Sequence, residues 1–320
     1  MKQKRILLVG SLPPPIGGVS IHIQRLMDGM KLKGLGVDII ESKSLFKFSN
    51  IGKILKANII HVHLSKPKLK FISVLIFKLF LKKVVITNHG KVGSKGFTNN
   101  LFDTWANGLA NVPIVLNDKS FEVVRKANRK TRLITAFIYP SNITPLPQHI
   151  ESKVQGFVKK FPNNCYCTNA YSIKFDAQGG EIYSIKALVK QFEKMHTKGL
   201  IISEPSGEYQ AWYQESGVHL SENILFISEN HDFINVIVES SGLIRATTTD
   251  GDSLSVREAL FKGKPVFATN CVDRPEGCTV FDLEQMSNLE KLLDNKTEEK
   301  PREQKDAINE LNELYHSLMC

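Results

Sequence analysis

The sequence lacks any long apolar run. No uncharged stretch reaches the roughly 20 residues that a bilayer-spanning helix needs. The opening "MKQKRILLVGSLPPP" is basic, but its apolar run is too short for a secretion signal, so a cytoplasmic protein is expected. Tryptophan occurs only twice, and basic residues are not interleaved with aromatics as base-stacking platforms. With no nucleic-acid motif either, nucleic acid is not an expected partner. The five cysteines (Cys165, Cys167, Cys271, Cys278 and Cys320) are odd in number, and none belongs to a pair with zinc-finger spacing, so reduced thiols are expected.

What is present fits two cores. A chain of 320 residues with 42% apolar and 23% charged residues is large enough for two soluble domains. The net charge of +10 hides a division. Residues 1–150 carry 24 basic and 6 acidic side chains, a net of +18, whereas residues 151–320 carry 18 and 26, a net of −8. A half this basic is either simply solvated or faces an anionic partner, and an anionic membrane surface at the inner face of the cell membrane is the partner that suits it. The stretch "KPKLKFISVLIFKLFLKK" (66–83) has the pattern of a membrane-surface helix and equally that of a crossover helix packed on a sheet.

Short apolar runs alternate with helical patterns. Strands are predicted at 5–11, 37–40, 58–64, 83–89 and 113–117, with helices near 20–33, 67–81, 97–109 and 118–128. The scheme recurs with strands at 165–170, 199–204, 223–228, 242–247 and 265–269, and helices near 181–195, 208–216, 230–239, 253–262 and 302–318. The stretch "YPSNITPLPQH" (139–149), with three prolines, reads as the linker. This alternation predicts an α/β fold of two doubly wound, Rossmann-like domains, with ligands at the carboxyl ends of their strands in a cleft. The expected division is 1–145, 146–300, and a C-terminal helix at 301–320 that returns to the first domain.

Three segments carry candidate chemistry. "SLPPPIGGVSIHIQRL" (11–26) places Gly17 and Gly18 between a strand and a helix, where free amides suit an anion; Ser20 is the predicted cap, and no Gly-Lys-Ser/Thr follows to make a Walker loop. His61, His63 and His89 fall at strand ends. A zinc site built from these three lacks an acidic or cysteine fourth ligand, so no metal is expected, and His89 is the one predicted to face a ligand. "DGDSLSVREALFKGKPVFATN" (250–270) sets Asp250, Gly251 and Asp252 ahead of a helix that contains Glu258. Asp-x-Asp is a spacing that holds a divalent ion on a diphosphate elsewhere. The alternative is that Asp250 touches a sugar, Glu258 a ribose diol, and the helix-start amides a phosphate.

Together "PPPIGGVSIHIQRL", "NIIHVH", "NHG", "TDGDSLSVREALFKGKPVFAT" and "VDRPEG" resemble the GT-B glycosyltransferases of the large family-four type, across nearly the whole chain. The resemblance implies a retaining, metal-independent hexosyl transfer from a nucleotide diphosphate sugar, without cofactor. The acceptor would be a growing, lipid-linked bacterial surface polysaccharide or another saccharide. It implies catalytic roles for Asp250 and His89 and donor binding by Gly17, Gly18, Gly251, Asp252, Ser253, Leu254 and Glu258. The family's first acidic position is a glutamate, one methylene longer than Asp250. Its two diphosphate-neutralising cations are also missing, since Ala170 stands where arginine is expected and Tyr183-Ser184 where Lys-Gly is expected. Lys174, in a loop with Gly179 and Gly180, is the expected substitute, ahead of Lys186. The missing cations motivate a second reading, a non-catalytic sugar-nucleotide-binding or assembly subunit. A sugar-nucleotide epimerase has less support, as no acidic residue is poised for chemistry at the sugar's second carbon.

Overall fold

The computed structural model describes residues 4–176, 178–295 and 300–319; the first three residues and Cys320 lie outside this set. The chain forms two compact units, Met1–Ser141 with Lys305–Cys320, and Asn142–Gln304.

In the first unit, strands β1 (Arg5–Gly10), β2 (Gly36–Glu41), β3 (Ile59–Val62), β4 (Lys83–Asn88), β5 (Val112–Val115) and β6 (Arg132–Leu133) pair in parallel in the order β2-β1-β3-β4-β5-β6. Parallel strands need crossovers that cover both sheet faces, so their sequences read as unbroken apolar runs. Ile6, Leu7, Leu8 and Val9 of β1 are fully buried. Helix α1 (Gly18–Leu32) lies on one face with α12 (Ala307–Met319). The opposite face is covered by α2 (Ile51–Lys56), α3 (Pro67–Leu79) and α4 (Phe97–Leu109), and α5 (Asp118–Ala127) follows β5.

The last helix closes this core. Leu311, Leu314 and Tyr315 are buried, and the Ala307 N–H donates to the Phe137 carbonyl at 2.9 Å. Gly29 permits the approach to α1, since a Cβ there would meet Ile308 Cδ1 at 2.5 Å and Cγ1 at 2.9 Å.

The second unit repeats the plan. Strands β7 (Cys165–Asn169), β8 (Gly199–Ser203), β9 (Ile224–Ile227), β10 (Gly242–Arg245), β11 (Val266–Thr269) and β12 (Cys278–Phe281) form a parallel sheet in the order β12-β11-β10-β7-β8-β9. Helices α6 (Gln148–Lys160), α7 (Ile185–Phe192), α8 (Glu208–Glu215), α9 (Phe233–Glu239), α10 (Leu254–Phe261) and α11 (Leu289–Asp294) complete it. Cys165 and Cys167 are buried in its core, where burial pushes both thiols up, Cys167 to about 12.

Several elements differ from the sequence reading. Helix α6 follows directly on the proline-rich stretch; its only apolar stripe is Ile150, Val154 and Phe157, too sparse to stand out from a linker. The short elements β6, β12, α2 and α11 carry too few residues for a periodic signal. Helix α7 begins at Ile185 rather than 181, because Ser184 takes a left-handed conformation with φ 48° and stops the helix extending backwards. Helix α1 begins at Gly18 with Gly17 as its cap, and Ser20 reaches back to accept from the Gly17 N–H at 3.0 Å.

The segment at 66–83 is in large part a crossover helix. Its Lys70, 1% exposed, turns inward to Asp103 Oδ1 and Asn88 Oδ1, both at 2.8 Å, and Lys95 reaches the other Asp103 oxygen at 3.1 Å. Burial pulls Lys70 down to about 8, opposed by the attraction of Asp103. Asp103→Ala should therefore leave a buried ammonium without its counter-charge and destabilise the protein by about 3–5 kcal/mol. Urea unfolding of the variant against the parent measures this; a change within about 0.5 kcal/mol would contradict it.

Candidate functional site

Each sheet gathers its candidate residues at the carboxyl ends of its strands. In the first unit, β1 ends at Gly10, where a Cβ would meet Ile23 Cδ1 at 2.4 Å and His63 Cβ at 3.3 Å. The bare backbone lets α1 lie close and brings His22, one turn into that helix, to the ends of β3 and β4. A Cβ added at Gly17 or Gly18 would meet nothing within 4 Å, so the start of α1 is open.

The three histidines read from the sequence divide. His61 is held inside the unit, Nδ1 2.5 Å from the Tyr315 hydroxyl and Nε2 2.7 Å from Thr87 Oγ1, and is not a ligand-facing group. His63 Nδ1 lies 3.0 Å from His89 Nε2, and His22 takes the place expected for His61. The His22, His63 and His89 ring centres form a near-equilateral triangle with sides of 5.4, 5.1 and 5.2 Å. His22 and His63 are buried, and His89 is half-buried. Burial, then neighbouring imidazoles, pushes His61, His63 and His89 well below the usual imidazole range, so all three are neutral bases at pH 7. No sequence pattern linked His22 to the others.

In the second unit the centre is Asp250, in the loop between β10 and α10. Arg245, the last residue of β10, donates from Nε to Asp250 Oδ2 at 3.2 Å, and Arg274 donates from Nη1 to the same oxygen at 3.0 Å. The Asp250 side chain is 10% exposed. Burial raises its pKa, but the attraction of Arg245 and then Arg274 outweighs it and holds the carboxyl below the usual range. Arg245 also donates to the Asn169 carbonyl at 3.1 Å and lies 5.2 Å over the Tyr183 ring. Arg274 Nε donates to the Thr269 carbonyl at 2.8 Å. Two guanidiniums thus share one carboxylate where β7, β10 and β11 end. The sequence reading missed both arginines, although "GLIRAT" and "VDRPEG" contain them.

The remaining candidates are placed around this group. Asp252 is gripped through both oxygens by Arg257 Nε, at 2.6 and 2.8 Å. Each carboxylate of the Asp-x-Asp is therefore already matched to arginine, which disfavours a second cation there. Ser253 caps α10, Gly251 and Leu254 are buried beside it, and Glu258 lies in the helix's second turn, 6% exposed. Lys174 is exposed at the base of a hairpin whose Ile182 N–H donates to the Lys174 carbonyl at 2.8 Å. Lys186 is occupied elsewhere, its Nζ 3.5 Å from the centre of the Trp212 ring. Ala170 is buried in the core. The start of α7 already holds an anion: Glu181 accepts from the Ile185 N–H at 2.8 Å, and from the Tyr209 hydroxyl at 2.7 Å.

No protein-family model and no curated protein matches the chain. Solved structures do resemble it. Anabaena HepE in complex with UDP-glucose superposes with a TM-score of 0.66 at 12% identity, covering 90% of this chain and 88% of that one. The catalytic domain of starch synthase IV from Arabidopsis thaliana, bound to ADP and acarbose, gives 0.67 at 12% identity over 99% and 100%. The UDP-GlcNAc 2-epimerase of Methanocaldococcus jannaschii gives 0.59 at 11% identity over 98% and 100%. These likenesses establish the fold, the GT-B arrangement of two Rossmann-like domains. It is shared by transferases and epimerases alike.

The arginine pair has a consequence in acid. An aspartate whose folded pKa lies below its unfolded value, near 3.9, contributes stability that is complete above that pH and is lost as pH falls through the folded pKa. Asp250→Asn should thus be less stable than the parent at pH 7, and the gap should shrink below about pH 4. Urea titrations at pH 7 and in acid test this; a gap that stays constant would refute the coupling.

Proposed function

We propose that the chain is a retaining glycosyltransferase that takes a hexose from a nucleotide diphosphate sugar. The acceptor is a growing, lipid-linked bacterial surface polysaccharide. The observation that carries this reading is the excess of guanidinium over carboxylate at Arg245, Asp250 and Arg274, beside the start of α10. A departing diphosphate gains negative charge, and preorganised positive charge with helix-start amides is what stabilises it. Two guanidiniums against one carboxylate leave one net positive charge where the family places two elsewhere, and Lys174 adds a second, exposed one at the hairpin. Glu258 fixes the ribose diol, and Gly251, Asp252, Ser253 and Leu254 shape the donor pocket of residues 146–300. Asp250, held by two arginines through Oδ2 and by the Gly251 N–H through Oδ1, orients the arginines beside the sugar. In the first domain, residues 1–145, His89 is assigned to the sugar and Gly17 and Gly18 to the diphosphate and acceptor. No metal or cofactor is assigned to the transfer.

The solved neighbours that hold UDP-glucose or ADP support a nucleotide ligand for this fold. One observation favours the second reading, a sugar-nucleotide-binding or assembly subunit without turnover. Glu181 places a carboxylate on the α7 amides, where a phosphate would otherwise be bound. Donor binding by calorimetry, followed by turnover of radiolabelled UDP-sugars with membrane acceptors, separates the readings. The transferase predicts both, the subunit binding alone, and an epimerase conversion of the donor without acceptor. Glu258→Gln should weaken donor binding about tenfold or more, because a hydrogen bond to a charged group contributes roughly 1.5–3 kcal/mol. An unchanged affinity in the folded variant removes the ribose role.

The first unit also fits a peripheral membrane protein of the cytoplasmic face. No helix among the described residues is long and apolar enough to cross a membrane. Leu79 and Leu81, however, are 76% and 92% exposed at the end of α3, next in sequence to Lys82 and Lys83, and Phe97, 86% exposed, opens α4. Phe71, Trp105 and Leu109 line an open apolar groove of about 420 Å³ nearby. Exposed apolar side chains flanked in sequence by lysine suit insertion at an anionic lipid surface. Vesicles containing phosphatidylglycerol should bind the protein, and raising the salt should release it, since surface charges are screened over about 8–10 Å at 0.1–0.15 M. Equal binding to neutral vesicles would refute the electrostatic part.

A further inference from the structure

The geometry points to a metal site that the sequence reading did not foresee: we propose that His22, His63 and His89 bind one Zn²⁺ through three imidazole nitrogens. The fourth position is left to water or an oxygen ligand. One ring nitrogen from each lies within 4.8 Å of the other two. Zn–N bonds of about 2.0–2.1 Å at tetrahedral angles put neighbouring ring centres roughly 5 Å apart and neighbouring nitrogens about 3.3 Å apart. The observed centre separations are 5.4, 5.1 and 5.2 Å, and His63 Nδ1 to His89 Nε2 is 3.0 Å. The rings therefore stand where an ion would hold them, with small adjustments.

The surroundings support ligation. His22 Nδ1 lies 2.8 Å from the Ala136 carbonyl. A neutral imidazole there donates from Nδ1 and keeps its lone pair on Nε2, the tautomer a metal takes and the outer-shell contact that orients ligating histidines. One of the two nitrogens of the His63–His89 bond carries a proton, and transfer of that proton to the other nitrogen of its ring frees it as a ligand. His61 is excluded because Tyr315 and Thr87 hold both its nitrogens. Three imidazoles favour zinc over magnesium or calcium.

The inference does not rest on glycosyl transfer, because zinc binding is read with no donor present. The full chain, stripped by chelator and dialysed, is titrated with Zn²⁺ against a chromophoric competitor, and metal content is measured by mass spectrometry. One zinc per chain is expected, with affinity lowered at least tenfold in His22→Ala and in His89→Ala, the second at a half-exposed position where folding should survive. Zinc should also raise the melting temperature of the parent and not of the variants, since a ligand that binds only the folded state stabilises it. Substoichiometric zinc, or equal affinity in both folded variants, would overturn the proposal. A Co²⁺-loaded parent should show tetrahedral d–d bands without thiolate charge transfer; thiolate bands would assign the ion to a cysteine and refute the histidine site.

Discussion

Parallel pairing is the constraint on which the rest of the structure depends. A strand laid parallel to its neighbour must be reached by a crossover, so every strand leaves its sheet at the same edge. In the first unit that edge collects Gly10, His63 and His89, and in the second it collects Asn169, Arg245 and Thr269. Arg245 bonds to Asn169 across 76 residues of sequence for this reason alone. The amides and side chains that follow each strand are not tied into the sheet and remain for ligands.

The two edges are chemically unlike. The second unit, acidic overall, concentrates guanidinium on a single carboxylate and so keeps positive charge inside an otherwise negative domain. The group is rigid: Arg274 is fixed by the Thr269 carbonyl as well as by Asp250. The first unit, basic overall, lines its edge with neutral imidazoles, because burial forbids further positive charge there. Its lysines stay outside except for Lys70, which enters only with Asp103 as counter-charge. Each unit thus buries the chemistry that its own surface does not display.

Much of the fold was legible because parallel strands buried on both faces must be largely apolar, and the runs at Ile6–Val9 and Val84–Ile86, and Ile59–Val62 apart from His61, say so directly. Elements with weak patterns were not. Helix α6 hides behind prolines, and β6, only two residues long, has no pattern to read. The site divided in the same way. Asp250, Ser253 and Glu258 stood out by spacing along one loop and helix. Arg245 and Arg274 did not, since an arginine ending a strand and another in a loop are common, and only their shared carboxylate makes them a group.

What the sequence by itself determined was the class of fold, the basic and acidic halves, and the local segments with unusual backbone or charge, because periodicity and composition act over a few neighbouring residues. Only the tertiary structure decided which histidines meet and which cations stand at the end of the second sheet. Strand order and crossover path set those distances, and neither is written in the spacing of the residues concerned. His22 replaces His61 in the cluster because Gly10 lets α1 press against the sheet, while Tyr315, from the far end of the chain, takes His61 for the core.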